Sequence, residues 1–213
     1  LLDKGTFDLE ESLRVSTSGV VLRGMDKAET VLQKKGVDRG ALLYMEGRND
    51  RRVTDTLDVL TPYVPVNTCT FQVTKGAQLK EGDQVLVVRP STKEWIASVG
   101  CDIFGGGISA LGWKAGDTDI AWDRKVSRAD GNQITLNAPL TVALDTEWGT
   151  TKVLRYNWPG RIAEAGVENL TLVSDYNRKY PKDEDHCWTG ISIENAENCW
   201  VRRVDFRHFA GSA

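Results

Sequence analysis

Histidine is almost missing from this chain: two in 213 residues, His186 and His208. Cysteine is scarce too. The four are Cys69, Cys101, Cys187 and Cys199, and no two form a Cys-x-x-Cys pair. A structural zinc site draws on clustered Cys and His, so neither a zinc site nor a cofactor is expected. Cys187 and Cys199 are close enough in sequence to bridge, but the expected state is buried free thiols. No apolar run approaches the roughly 20 residues that a bilayer span requires, so no membrane segment is expected. No signal peptide opens the chain, so a secreted protein would be met here in mature or trimmed form. A surplus of positive charge is also lacking. Lys and Arg number 27 against 30 Asp and Glu, a net charge of −3. A nucleic-acid-binding face normally carries excess cations, so no nucleic-acid partner is expected.

Hydrophobic residues make up 40% and charged residues 27%, a balance that fits a globular protein of one large or two small domains. The organising feature is a repeat near the end of the chain. Val167-Glu-Asn-Leu170-Thr-Leu172 and Val201-Arg-Arg-Val204-Asp-Phe206 share the pattern Val-x-x-apolar-x-apolar at an offset of 34. A polar stretch, Ser174 to Cys187, lies between them and reads as a loop insertion. Gly190-Ile191 and Gly211-Ser212 open strand-like runs 21 residues apart, and that loop accounts for the difference between the offsets. Short β-branched strands returning at about 20 residues, with Gly and Asn at the corners, predict a solenoid of parallel strands. Gly211-Ser212-Ala213 falls where a strand is expected to begin, which predicts further coils beyond Ala213.

From Leu1 to about 65 the chain is a series of brief apolar runs punctuated by Gly5, Gly19, Gly24 and Gly36. Their spacing leaves no room for the helical crossovers of a βαβ unit. Gly24 is expected at a corner needing positive φ. Ala41 to Met45 reads as a buried strand and Arg48 to Arg52 as a charged turn. Residues 66–160 read differently. Thr70–Val73, Gln84–Arg89, Gln133–Leu136 and Lys152–Tyr156 are strands, and Ala129-Asp-Gly-Asn132 is a hairpin turn. This predicts a small antiparallel β-domain inserted between the solenoid coils of 1–65 and those of 161–213. Its centre, Trp95 to Trp122, holds Gly105-Gly106-Gly107, Trp113, Asp117, Asp119 and Asp123. It reads as a long loop, either over a binding cleft or packed as a lid.

Gly5-Thr-Phe-Asp-Leu9, Gly19-Val-Val-Leu-Arg-Gly24, Thr30-Val-Leu32, Gly166-Val-Glu-Asn-Leu170 and Asn198-Cys-Trp-Val201 resemble coils of the pectate-lyase-like superfamily. That resemblance implies an all-β fold, a right-handed parallel β-helix. It also implies a carbohydrate-active protein with an acidic polysaccharide or oligosaccharide as partner, in a secreted or periplasmic setting. The superfamily spans lyases, hydrolases, epimerases, esterases and phage tailspikes, and a fold so widely shared does not assign chemistry. The calcium-site Asp cluster and the Arg-x-Pro-x-x-Arg of classical pectate lyases are missing, as is the paired-Asp signature of polygalacturonases.

The 21-residue offset sets His186 in line with Arg207 and Cys187 in line with His208, so His186, Arg207 and His208 are expected on one edge of stacked coils about 4.8 Å apart. The loop before them adds Asp183, Asp185, Tyr176 and Arg178. The leading expectation is a polysaccharide lyase acting on a uronic-acid-containing polysaccharide by β-elimination, in which Arg207 or Arg178 would neutralise the uronate carboxylate. His186 or His208, with Tyr176 behind them, would remove the C5 proton, and Asp185 would orient a His. Trp188 is a candidate sugar platform. Of Arg202 and Arg203 only one should face outward, and Arg203 is carried as a substrate contact. A glycoside hydrolase would instead use two carboxylates from Asp175, Asp183, Glu184 and Asp185. The third reading is a non-catalytic glycan-binding or structural module.

Overall fold

The structure is a computed structural model that describes residues 1–103, 112–180 and 182–213. The chain forms two units, Leu1–Asp50 with Trp158–Ala213, and Arg51–Asn157. In chain order the first unit contributes β1 (Gly5–Leu9), β2 (Leu13–Val15), β3 (Val21–Arg23), β4 (Thr30–Lys34) and β5 (Ala41–Glu46). The second contributes β6 (Arg52–Asp58), β7 (Tyr63–Val64), β8 (Thr70–Gln72), β9 (Gln84–Arg89), α1 (Lys93–Ser98), β10 (Ile120–Asp130), β11 (Gln133–Leu136), β12 (Leu144–Asp145) and β13 (Lys152–Asn157). The first unit resumes with β14 (Ile162–Ala163), β15 (Gly166–Ser174), β16 (Thr189–Glu194), β17 (Ala196–Glu197) and β18 (Trp200–Arg207).

Every ladder in the first unit is parallel. One sheet runs β1-β4-β15-β18 with β3 also on β15, a second runs β16-β5-β2, and β14 pairs β17. The repeat is visible in the register: Gly166 lies opposite Trp200, Val167 opposite Val201 and Leu172 opposite Phe206, the 34-residue offset. Stacking identical patterns sets like side chains above one another, so Leu32, Leu42, Leu43, Met45, Val167, Leu170 and Leu172 form one apolar interior. The polar counterpart is a charge ladder. Glu168 sits between Arg23 and Arg202 on neighbouring strands. It accepts from Arg23 Nε at 2.6 Å and Arg202 Nε at 2.9 Å. Both guanidinium groups hold its carboxyl below the usual range.

The corners use the left-handed region, which asparagine tolerates better than most residues. Asn169 (φ 60°) and Arg203 (φ 54°) occupy the same corner in consecutive coils. The Asn169 side-chain amide donates to the Gly24 carbonyl at 2.8 Å. Gly24 itself is not at positive φ, contrary to expectation. A Cβ there would lie 2.8 Å from Thr30 Cβ and closer still to the Asn169 carbonyl, so close approach is what requires glycine. The 21-residue offset is also corrected. Thr189 bridges Ser212, a separation of 23. The corner after β18, with His208 at φ 64°, takes two more residues than the glycine spacing implied.

The second unit is antiparallel, with a six-stranded sheet in the order β6-β13-β9-β10-β11-β8 and a β7–β12 ladder. Strand β9 alternates buried and half-buried residues, and Val85, Val87, Trp122, Ile134 and Val153 meet in its core. The β10–β11 hairpin turns at Gly131, φ 58°. This unit starts at Arg51, earlier than the expected 66, because β6 pairs β13 along its whole length. Only Leu57 of β6 is fully buried, so an edge strand of Arg, Asp and Thr shows no apolar alternation. The expected long loop from Trp95 to Trp122 begins inside α1 and ends on the first residues of β10, with neither helix nor strand among the described residues between them. Thr92 caps α1, its hydroxyl accepting from the Trp95 backbone N–H at 3.2 Å. Asp119 accepts from the Ser91 N–H and hydroxyl, and Asp123 from the Tyr156 hydroxyl. Gly105-Gly106-Gly107 lies outside the described residues.

Candidate functional site

The loop between β15 and β16 is held by one carboxylate. Asp183 accepts the backbone N–H of Asn177 at 2.7 Å and of Asp185 at 3.0 Å. Hydrogen bonds to the ionised form hold its carboxyl below the ordinary aspartate range. Asn177 in turn accepts the Lys179 N–H on its side chain and the Tyr180 N–H on its carbonyl. This segment and Gly36-Val37 enclose an open cleft of about 380 Å³, into which Asp175, Tyr176, Asn177, Asp183 and Asp185 converge. Asp175 is anchored at its edge, its N–H on the Lys34 carbonyl and its carboxylate 3.3 Å from Lys35.

His186 is buried and satisfied. Nδ1 lies 2.8 Å from the Ser174 hydroxyl and Nε2 lies 3.2 Å from the Asp183 carbonyl. A carbonyl only accepts, so Nε2 carries a proton, while the Ser174 hydroxyl at Nδ1 also reaches the Asp175 carbonyl at 3.3 Å. Both nitrogens are hydrogen-bonded: Nδ1 ties the loop to the end of β15, and Nε2 bonds within the loop. The 23-residue bridge also removes the alignment of His186 with Arg207. Arg207 is exposed on the last strand, 3.8 Å from Asp205, which also meets Lys27 at 3.0 Å. His208 is exposed, and its ring centroid is 5.0 Å from that of Tyr176, whose centroid lies 5.8 Å from that of His186. Tyr176 is therefore the group that joins the two histidines.

Asp185 pairs with Arg39, accepting from Nη2 at 2.5 Å. The Arg39 guanidinium also lies 5.5 Å from the Trp188 ring. Trp188 is 37% exposed and donates Nε1–H to the Glu184 carbonyl at 2.8 Å. Asp185 thus orients Arg39, and among the described residues its carboxylate makes no hydrogen bond or ion pair with a histidine. The sequence reading missed Arg39; its signal was only a cation beside Gly40, ahead of a buried strand. Arg178 is exposed on the loop. Arg203 is exposed at its corner, and Arg202 is exposed too while pairing with Glu168, contrary to the expectation that only one would face outward. Cys187 is buried with its thiol pushed up by burial, and all four cysteines are free thiols. Among the described residues, no group of three or more His, Cys, Asp or Glu is placed to hold a metal ion.

No family model matches the chain, and no curated protein matches it. Three solved structures are similar over nearly its whole length. They are the gp61 tailspike of Pseudomonas phage phi297 (12% identity, TM-score 0.43, 95% of this chain and 30% of that one), and the gp49 tailspike of Pseudomonas phage LKA1 (12%, 0.42, 95% and 36%). The third is the gp54 tailspike of Acinetobacter baumannii bacteriophage AP22, in complex with A. baumannii capsular saccharide (13%, 0.39, 96% and 30%). The chain spans about a third of the length of each.

Proposed function

We propose that this chain is a saccharide-binding segment of a carbohydrate-active protein, built on a right-handed parallel β-helix and directed at an acidic polysaccharide outside the cell. The observation that carries the reading is the convergence of Asp175, Tyr176, Asn177, Asp183 and Asp185 on one open cleft. Carboxylates and an amide carbonyl accept from sugar hydroxyls, carboxylates more strongly than neutral acceptors. A tyrosine ring supplies an apolar face with a polar tip for an amphipathic ligand. The cleft is preformed: Asp183 fixes the loop through two backbone N–H groups, and His186 ties it to Ser174. Preorganisation lowers the ordering cost of binding. Three carboxylates suit hydroxyl donors, so the acidic units of the polymer are read elsewhere.

A second reading, β-elimination on the same polymer, draws on the Tyr176–His208 contact. There His208, His186 or Tyr176 serves as base and Arg207 neutralises the uronate, His186 being held by its bonds to Ser174 and Asp183. Incubation of the chain with a panel of acidic polysaccharides distinguishes the readings. Retention of polymer on immobilised protein, without ultraviolet-absorbing unsaturated ends or new reducing ends, is the expected result. Unsaturated ends that vanish in His208→Ala establish the elimination. New reducing ends alone move the chemistry to hydrolysis by Asp175, Asp183 or Asp185. A chain that retains no polymer and produces neither signal overturns the proposal.

A further inference from the structure

The second unit holds an aromatic stack that the loop cleft does not use. Arg89, at the end of β9, is buried, and its Nε and Nη1 have no hydrogen-bond partner among the described residues. Its guanidinium lies 4.4 Å from the centroid of the Trp95 ring. Trp95 stacks on Trp113, with centroids 6.0 Å apart and planes 25° from parallel. Trp113 ends the series 41% exposed, its backbone N–H fixed on the Cys101 carbonyl at 2.8 Å. A buried cation over one indole and a stacked second indole leave a rigid aromatic face toward solvent.

That face opens on a cleft of about 550 Å³, floored by Ile96, Ala97 and Ala115 beside Trp113. Lys93, Lys114 and Asp102 complete the lining. Neither lysine makes an ion pair among the described residues. The cleft therefore combines an apolar platform with a net surplus of cation, the reverse of the carboxylate-rich cleft in the first unit.

We propose that Trp113, Lys93 and Lys114 form a second saccharide subsite that takes an anionic sugar residue, its C–H face on the indole and its carboxylate between the lysines. The ligand class rests on the saccharide reading above, but the site lies wholly in the second unit. Burying an amphipathic ring on a preordered indole costs little side-chain entropy. The two ammonium groups select a carboxylate without fixing its orientation.

The test is titration of the full chain with tetragalacturonate, following the Trp113 indole N–H resonance, assigned by its loss in Trp113→Phe. Cellotetraose is the neutral control and hexaglutamate the peptide control. The proposal predicts that tetragalacturonate shifts the signal and that added salt weakens the effect. Affinity read from that signal falls on the order of tenfold in the Lys93→Ser/Lys114→Ser double variant. The lysine pair is exposed, so that variant keeps its fold. An unmoved signal, an equal response to cellotetraose, full affinity in the lysine variant, or equal competition by hexaglutamate overturns it. Tyr176→Ala leaves the Trp113 response intact. Loss of polymer retention in that variant alone bears on the first cleft, and loss of the Trp113 response alone bears on this one.

Discussion

The two units are both β-structure but specify it by different means. In the antiparallel unit, neighbours in the sheet are often neighbours in the chain: β10 turns directly into β11 at Gly131. Alternation along β9 is enough to set which face is buried. In the parallel unit, partners lie far apart. β15 pairs with β18 at 34 residues and with β4 across the whole of the second unit. Register there comes from stacked identity: apolar over apolar, Asn169 and Arg203 at one corner, Glu168 between two arginines. Local sequence suffices where a turn closes the pair, and repeated sequence is needed where it does not.

The sharpest way to break the comparison is through the cores. Leu172→Ala in the first unit and Ile134→Ala in the second each remove a side chain that is 0% exposed. Each is expected to cost about 2–5 kcal/mol, read as a lowered midpoint in chemical denaturation. Equal loss is the expectation. A much smaller cost for Leu172→Ala would mean that the parallel stack is loosely packed.

Glycine separates the units next. Gly24→Ala forces a Cβ into Thr30 and the Asn169 backbone and should cost about 1–3 kcal/mol through overpacking. Gly131→Ala meets nothing within 4 Å but sits at φ 58°, so its cost is the left-handed penalty of roughly 1–2 kcal/mol. Gly131→Asn, which tolerates that region, should recover most of it, while Gly24→Asn should recover nothing. Stability measurements on the four variants check this.

The smallest effect is electrostatic. The folded carboxyls of Glu168 and Asp183 are depressed from ordinary values of 4.5 and 3.8. The stability they add is fully present above those values and is lost as pH falls through the lower folded ones. Acidification below about pH 4.5 should therefore weaken the first unit, and Glu168→Gln should flatten that dependence while lowering stability at neutral pH. An unchanged acid profile in the variant would remove the charge ladder from the account.

The parallel repeat was legible because Val167–Leu172 and Val201–Phe206 carry the same pattern, and the hairpin because Asp130-Gly131-Asn132 is turn chemistry. Strand β6 was not legible, since its outward face is charged and one buried leucine carries no period. Of the site, the Asp183–His186 loop was found from its polarity, but the roles within it were not. Whether His186 faces a ligand or Ser174 depends on burial, and Arg39 reaches Asp185 only through folding that brings residues 146 apart together. The two-residue error in the Gly190–Gly211 offset arose at the corner containing His208, whose length no periodic signal sets.

The central claim is that a preformed acidic and aromatic cleft on the parallel stack binds saccharide. Calorimetric titration of acidic polysaccharide fragments into the chain and into Tyr176→Ala tests it most directly. The account predicts saturable binding that weakens on the order of tenfold in the variant, with the folded stability of both proteins matched. Binding of equal strength in the two, or none in either, would contradict it.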